Sequence, residues 1–146
     1  MLLSIITPTY NEAKNVEKLI KLIEISLSKY KYEIIFVDDN STDNTHEIIK
    51  KIALRKNNVR CLRRIGRRGL SSAVIEGCLS SSSDLLLIMD SDLQHDEKKI
   101  PIMIELLKKE KLDLVIASRF FKNKEVLGLT KYRNVLSKIA NFLVYK

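Results

Sequence analysis

Residues 32–56 read YEIIFVDDNSTDNTHEIIKKIALRK. The first six residues, YEIIFV, are a β-branched and aromatic run with apolar flanks, the pattern of a strand buried on both faces. DDNSTDNT supplies turn-forming and helix-capping residue types. THEIIKKIALRK (45–56) then places Ile48, Ile49 and Ile52 at helical spacing. A strand that runs through a polar loop into a helix is half of a βαβ unit, the element from which parallel sheets are built.

The same phrase repeats to either side. LLSIIT (2–7) precedes EKLIKLIEISLSKY, VRCL (59–62) precedes GLSSAVIEGCLSS, DLLLIM (84–89) precedes KIPIMIELLKKE, and LDLVIA (112–117) precedes a last helical stretch. The order βαβαβαβαβα predicts an α/β fold: a mostly parallel, Rossmann-like sheet with helices on both faces and right-handed crossovers. At 146 residues, with no repeat, linker or low-complexity tract, the chain is expected to form one domain over 1–146. Its 45% hydrophobic and 30% charged residues exclude a disordered or collagen-like chain. No run reaches the ~18 apolar residues of a membrane span, and MLLSIITP has no basic leader, so a cytoplasmic location is expected. Cys61 and Cys78 have neither metal-ligand spacing nor disulfide-scaffold density and read as buried thiols.

Ligands of such sheets bind at the carboxyl ends of the strands, near the point where strand order reverses. Here those ends carry TPTYNE, DDNSTDNT, a basic loop, DSDLQH and SRFFKNK. Neither G-x-G-x-x-G nor a P-loop is present, the glycines being Gly66, Gly69, Gly77 and Gly128, so a bound diphosphate must be neutralised by cations instead of a glycine nest. Asp90 and Asp92, with the Gln94 carbonyl, offer hard oxygen ligands for Mg²⁺ or Mn²⁺. An EF-hand is excluded, because His95 and Pro101 stand where that loop needs Gly and Glu. A turn in which Asp92 or Asp96 caps the next helix explains the same residues.

After the second strand Asp38 and Asp39 adjoin, an arrangement that requires a cation or several donors between them. One of these carboxylates can accept from a nucleobase N–H or a ribose hydroxyl. Ser41, Thr42 or Asp43 as a helix cap accounts for the rest of that loop. In TPTYNE, Pro8 ends a strand and Asn11 reads as a cap, while Tyr10 offers a ring for stacking.

Twenty-six basic against eighteen acidic residues give a net charge of +8, concentrated in two blocks. Residues 55–68 hold seven Arg or Lys without a carboxylate, and residues 119–146 hold seven against Glu125. Aromatics are not interleaved with the arginines, so base-stacking platforms for nucleic acid are not evident, and no nucleic-acid partner is expected. Small-ligand phosphates, an anionic membrane surface or a solvated basic face fit these blocks. Arg133 and Ser137 share one helix face, with Arg119 in the loop before them; the three suit an anionic phosphate. Val135, Leu136, Ile139, Phe142 and Leu143 recur at helical spacing among Lys131, Arg133 and Lys138, as in an interfacial membrane helix or a core-packing last helix.

TPTYNE, VDDNSTDNT, GRRGL, DSDLQH and ASRF, in this order and spacing, resemble the family-2 glycosyltransferases of the GT-A fold, and most nearly the polyprenyl-phosphate sugar synthases, dolichyl-phosphate mannosyltransferases among them. The resemblance covers essentially the whole chain and implies an inverting, metal-dependent hexosyltransferase. Its donor would be a GDP- or UDP-sugar and its acceptor a dolichyl- or undecaprenyl-type phosphate, reached by peripheral contact at the cytoplasmic face of a membrane. It further implies that Pro8, Tyr10, Glu12, Asp39, Arg67 and Asp90 bind the nucleotide, that Asp90, Asp92 and Gln94 hold the metal, and that Asp92, Arg119, Arg133 and Ser137 serve catalysis. Ser71 stands where the family carries the second glycine of G-L-G-[ST]-A. Relatives of this kind continue past the equivalent of Lys146. Alternative readings are a family-2 enzyme with a saccharide hydroxyl acceptor, a non-catalytic nucleotide-sugar-binding module, and a nucleotidyltransferase.

Overall fold

The computed structural model describes residues 1–118. The chain divides into two compact units, Met1–Ile104 and Glu105–Lys146. The first unit holds the sheet. Its strands are β1 (Leu3–Thr9), β2 (Tyr32–Asp38), β3 (Val59–Arg63) and β4 (Leu85–Ile88). Helices α1 (Val16–Ser26), α2 (Thr45–Ala53) and α3 (Leu70–Leu79) connect them, and a short 3₁₀ turn (Glu97–Lys99) leads into α4 (Ile100–Lys109).

All three strand pairings are parallel and the order is β3-β2-β1-β4. The chain steps from β1 outward to β3, then returns to the other side of β1 as β4, so the order reverses between β1 and β4. Alternation along the strands sends Ile5, Ile34 and Phe36 to one face, where they pack with Leu19, Ile20 and Ile23 of α1, Ile49 of α2 and Ile100 of α4. Ile6, Ile35 and Val37 go to the other face and meet Ala73 of α3. The sheet is therefore covered from both sides, as expected of strands apolar on both flanks.

Two local features set where α3 and β1 lie. Gly77 packs against the sheet so closely that a Cβ there would meet Ile6 Cγ2 at 2.4 Å and Val37 Cγ2 at 2.9 Å. Pro8 sits in β1 opposite Val37, yet β4 pairs with β1 only as far as Ile88 opposite Ile6. Its missing N–H thus falls beyond the β4 ladder, where a proline costs no pairing.

The fifth expected strand is not formed. Residues 112–117 carry no strand pairing, and Leu112, Leu114 and Ile116 are exposed. An alternating or apolar run makes a segment competent for a sheet, but a strand also needs a partner ladder, and none is present for it among the described residues. The last helical stretch expected after it lies outside the described residues.

Candidate active site

The carboxyl ends of β1, β2 and β4 converge on one edge of the sheet, and their loops are held together by side chains that DDNSTDNT and TPTYNE supply. Asn11 adopts a left-handed φ of 57°. Its N–H donates to Ser41 Oγ (2.9 Å), while its Oδ1 accepts from the Thr42 N–H (2.9 Å). Glu12 N–H donates to Thr45 Oγ1 (2.9 Å) and Ala13 N–H to Asp43 Oδ2 (3.0 Å). Asn11 is therefore a bridge between two loops and not the cap of α1, whose N-cap is Asn15. At Asp43, burial alone would raise the carboxyl, but hydrogen bonds from Thr45 and the Ala13 N–H outweigh it and hold the group below its ordinary value.

Asp38 and Asp39 are both buried and each carboxylate oxygen is met by a donor, which answers how they can adjoin. Asp38 accepts from the Ser41 N–H (3.0 Å) and the Ser41 hydroxyl. Asp39 Oδ1 pairs with Arg64, and Asp39 Oδ2 accepts from the Gly69 N–H at 2.8 Å. Arg64 is 1% exposed, the largest fully buried side chain in the described structure. Besides Asp39 it donates to Gly69 O (3.1 Å), Ser72 Oγ (2.6 Å) and Glu76 Oε1 (3.2 Å). The left-handed φ of 133° at Gly69 is a conformation that side chains rarely adopt. Cys61 on β3 registers the same environment: burial, then the Asp38 charge, push its thiol up to about 12 against the opposing charge of Arg63.

Arg67, expected beside the donor, is exposed and forms a forked pair with Glu76 (2.9 and 2.7 Å). Its hydrogen bond, then the neighbouring arginine charges, hold the Glu76 carboxyl below its ordinary value, although desolvation opposes them. Arg68 takes a different position, with its guanidinium carbon 4.6 Å from the centroid of the Tyr10 ring. Tyr10 is half-exposed, so a planar group has access to it. The Glu12 carboxylate is engaged by the Asn15 side-chain amide.

The loop after β4 is built in another way. Ser91 is buried and its hydroxyl donates to Pro8 O (3.2 Å), tying this loop to the end of β1. Leu93 holds a φ of 61° while its side chain packs against the core, a backbone cost of roughly 1–2 kcal/mol that packing offsets. Around these two anchors Asp90 and Asp92 stay accessible. Asp92 Oδ1 accepts from the Gln94 N–H (3.0 Å), and Asp90 Oδ2 lies 3.6 Å from His95 Nε2. Asp96 caps the following 3₁₀ turn through the Lys98 N–H. Among the described residues no group of three or more His, Cys, Asp or Glu side chains is arranged to hold a metal unaided. Two accessible carboxylates nevertheless fit Mg²⁺ or Mn²⁺, which commonly take one or two protein carboxylates and complete their shell with substrate phosphates and water.

Pro8, Tyr10, Asp90 and Asp92 thus lie at the ends of β1 and β4, beside the reversal point, and Asp39 at the end of the neighbouring β2. Arg67 is turned to Glu76, and Gln94 is exposed with its backbone on Asp92. Arg119, Arg133 and Ser137 lie outside the described residues. The sequence position of Arg64, one of seven basic residues within 55–68, does not single it out, although the demand of Asp38–Asp39 for a cation points to such a residue.

A four-stranded parallel sheet of this order with helices on both faces is a GT-A arrangement, and solved structures share it. The mannosyltransferase PcManGT from Pyrobaculum calidifontis, in complex with GDP-Man and Mn²⁺, superposes with a TM-score of 0.62 at 25% identity, over 72% of this chain and 32% of that one. Residues 1–349 of TarS from S. aureus match in fold alone, with a TM-score of 0.64 at 20% identity over 84% of this chain and 40% of that one. The chain belongs to glycosyl transferase family 2, which matches residues 4–145. Similar curated proteins include the dolichol-phosphate mannosyltransferase of Pyrococcus furiosus, 42% identical over 96% of this chain and 39% of that protein. The dolichol-phosphate mannosyltransferase of Saccharomyces cerevisiae is 35% identical over 96% and 53%. The dodecaprenyl-phosphate galacturonate synthase of Rhizobium johnstonii is 34% identical over 97% and 42%. The chain thus spans about half the length of these relatives, or less.

Proposed function

We propose that the chain transfers a sugar, with inversion, from a nucleotide-sugar donor to a polyprenyl phosphate at the cytoplasmic face of a membrane. The observation that carries this reading is the meeting of Tyr10, Asp39, Asp90 and Asp92 on one strand-end edge, with the Asp90–Asp92 loop tied to Pro8 through Ser91. The polyprenyl-phosphate relatives support the acceptor, and the GDP-Man and Mn²⁺ complex of PcManGT supports a metal-assisted donor site.

In this mechanism Tyr10 stacks on the base and Asp39 accepts from its N–H groups. A divalent ion held by Asp90 and Asp92, with Gln94 beside them, would supply charge neutralisation to the donor diphosphate. Arg67 and Arg68 add positive charge from the loop after β3. Arg119, Arg133 and Ser137 hold the acceptor phosphate. An oxygen of that phosphate bonds to the anomeric carbon as the bond from that carbon to the diphosphate breaks, and the nucleoside diphosphate leaves. The acceptor phosphate is already ionised at neutral pH, so no general base is required. Among the described residues no helix is long and apolar enough to cross a membrane. In the proposed reading the basic and apolar residues of 131–145 contribute contact with the lipid.

The test is calorimetric titration of the chain with GDP- and UDP-sugars, with and without Mn²⁺ or Mg²⁺, followed by transfer of labelled sugar to polyprenyl phosphate. Metal-dependent donor binding with lipid-dependent release of nucleoside diphosphate supports the proposal. Binding without release under any acceptor supports a nucleotide-sugar-binding module instead, and indifference to every donor overturns both.

A further inference from the structure

We propose that Arg64 is a positioning residue for donor binding, holding the Asp39 carboxylate and the Gly69 turn in one fixed unit. The inference rests on the reading of Asp39 as the acceptor for the donor base. A buried ion pair is often no more stabilising than apolar residues of the same volume. Packing alone therefore does not account for an arginine that is 1% exposed and spends its donors on Asp39, Gly69 O, Ser72 Oγ and Glu76. What this arrangement does fix is geometry. Arg64 lies against Oδ1 of Asp39 and the Gly69 N–H against Oδ2, while Arg64 also grips the carbonyl of Gly69.

A carboxylate offers roughly four lone-pair sites, so one donor on each oxygen leaves each with capacity for a ligand N–H. The carboxylate cannot rotate without breaking both contacts. The residues between the two anchors, 65–68, form the loop that carries Arg67 and Arg68. Arg64 thereby couples the base end of the site to the basic loop, and Glu76 extends the coupling, since it accepts from both Arg64 and Arg67.

The experiment compares Arg64→Lys, Arg64→Met, Asp39→Asn and the double variant Arg64→Met/Asp39→Asn in the full chain. Affinity for GDP and UDP with Mn²⁺ is read by calorimetry and folding by circular dichroism. The double variant removes both charges of the pair and keeps the comparison open if Arg64→Met alone does not fold. Arg64→Met is expected to weaken nucleotide binding at least tenfold and Arg64→Lys to recover most of that loss. The double variant is expected to bind no more weakly than Asp39→Asn. A purely structural role would lower the melting temperature and leave the affinity of the folded protein unchanged. If Asp39→Asn weakens binding while folded Arg64→Met binds like the unaltered chain, or if the two losses multiply, the role of Arg64 is overturned and the donor site stands. If the unaltered chain binds neither nucleotide, the donor-site reading itself falls.

Discussion

Two pairs of aspartates stand at the same edge of the same sheet and have opposite surroundings. Asp38 and Asp39, after β2, are buried and every carboxylate is met by donors from the chain itself: Ser41, Arg64 and the Gly69 N–H. Asp90 and Asp92, after β4, are accessible, with one backbone donor on Asp92 and an imidazole 3.6 Å from Asp90. The difference separates carboxylates whose charge is met within the fold from carboxylates that stay accessible from outside it. Residue type and the edge of the sheet are the same in both cases; the neighbouring loops decide.

The sharpest way to break this contrast is to remove the internal acid. Asp39→Ala leaves Arg64 buried with only Glu76 as a counter-charge, and is expected to cost about 3 kcal/mol or more in urea unfolding. Asp38→Ala leaves the Ser41 N–H without its acceptor and is expected to cost about 1–3 kcal/mol by the same measurement. Asp90→Asn and Asp92→Asn should move stability by no more than about 0.5 kcal/mol, yet lower Mn²⁺-dependent affinity for a nucleotide sugar at least tenfold. Equal destabilisation by all four substitutions would erase the distinction. The smallest effect concerns Glu76. Because its carboxyl is held below the ordinary 4.5, its contribution is present above that pH and fades as the pH falls through the depressed value. Arg67→Met should therefore flatten the loss of stability seen as the pH falls below 4.5, as followed by urea midpoints.

Much of the scaffold was legible because hydrophobic period is a local property. YEIIFV and LLSIIT announce strands, and the spacing of Ile20 and Ile23 announces the buried face of α1. LDLVIA carries the same signature and forms no strand, because pairing is a property of two segments. The site was legible in part for a related reason. Adjoining acids state a demand for positive charge, but a run such as RCLRRIGRR does not say which arginine turns inward. That choice comes from β3 ending at Arg63 and from α3 starting at Leu70, which places Arg64 beneath Gly69. Asn11 shows the same limit: its amide can cap a helix or bridge two loops, and only the position of Ser41 and Thr42 selects the bridge.

Gly77 extends this logic to a remote position. It lies eight residues after Gly69, about 12 Å along the axis of the helix that begins there. With no room for even a methyl group above Ile6 and Val37, the absent side chain works as a spacer gauge for the helix. An alanine at 77 forces Ile6, Val37 or α3 itself to shift, and a displacement of α3 is carried along a stiff rod to the turn that grips Asp39. The alignment of the Asp39 end of the strand-end edge is thereby calibrated by an atom that is not there.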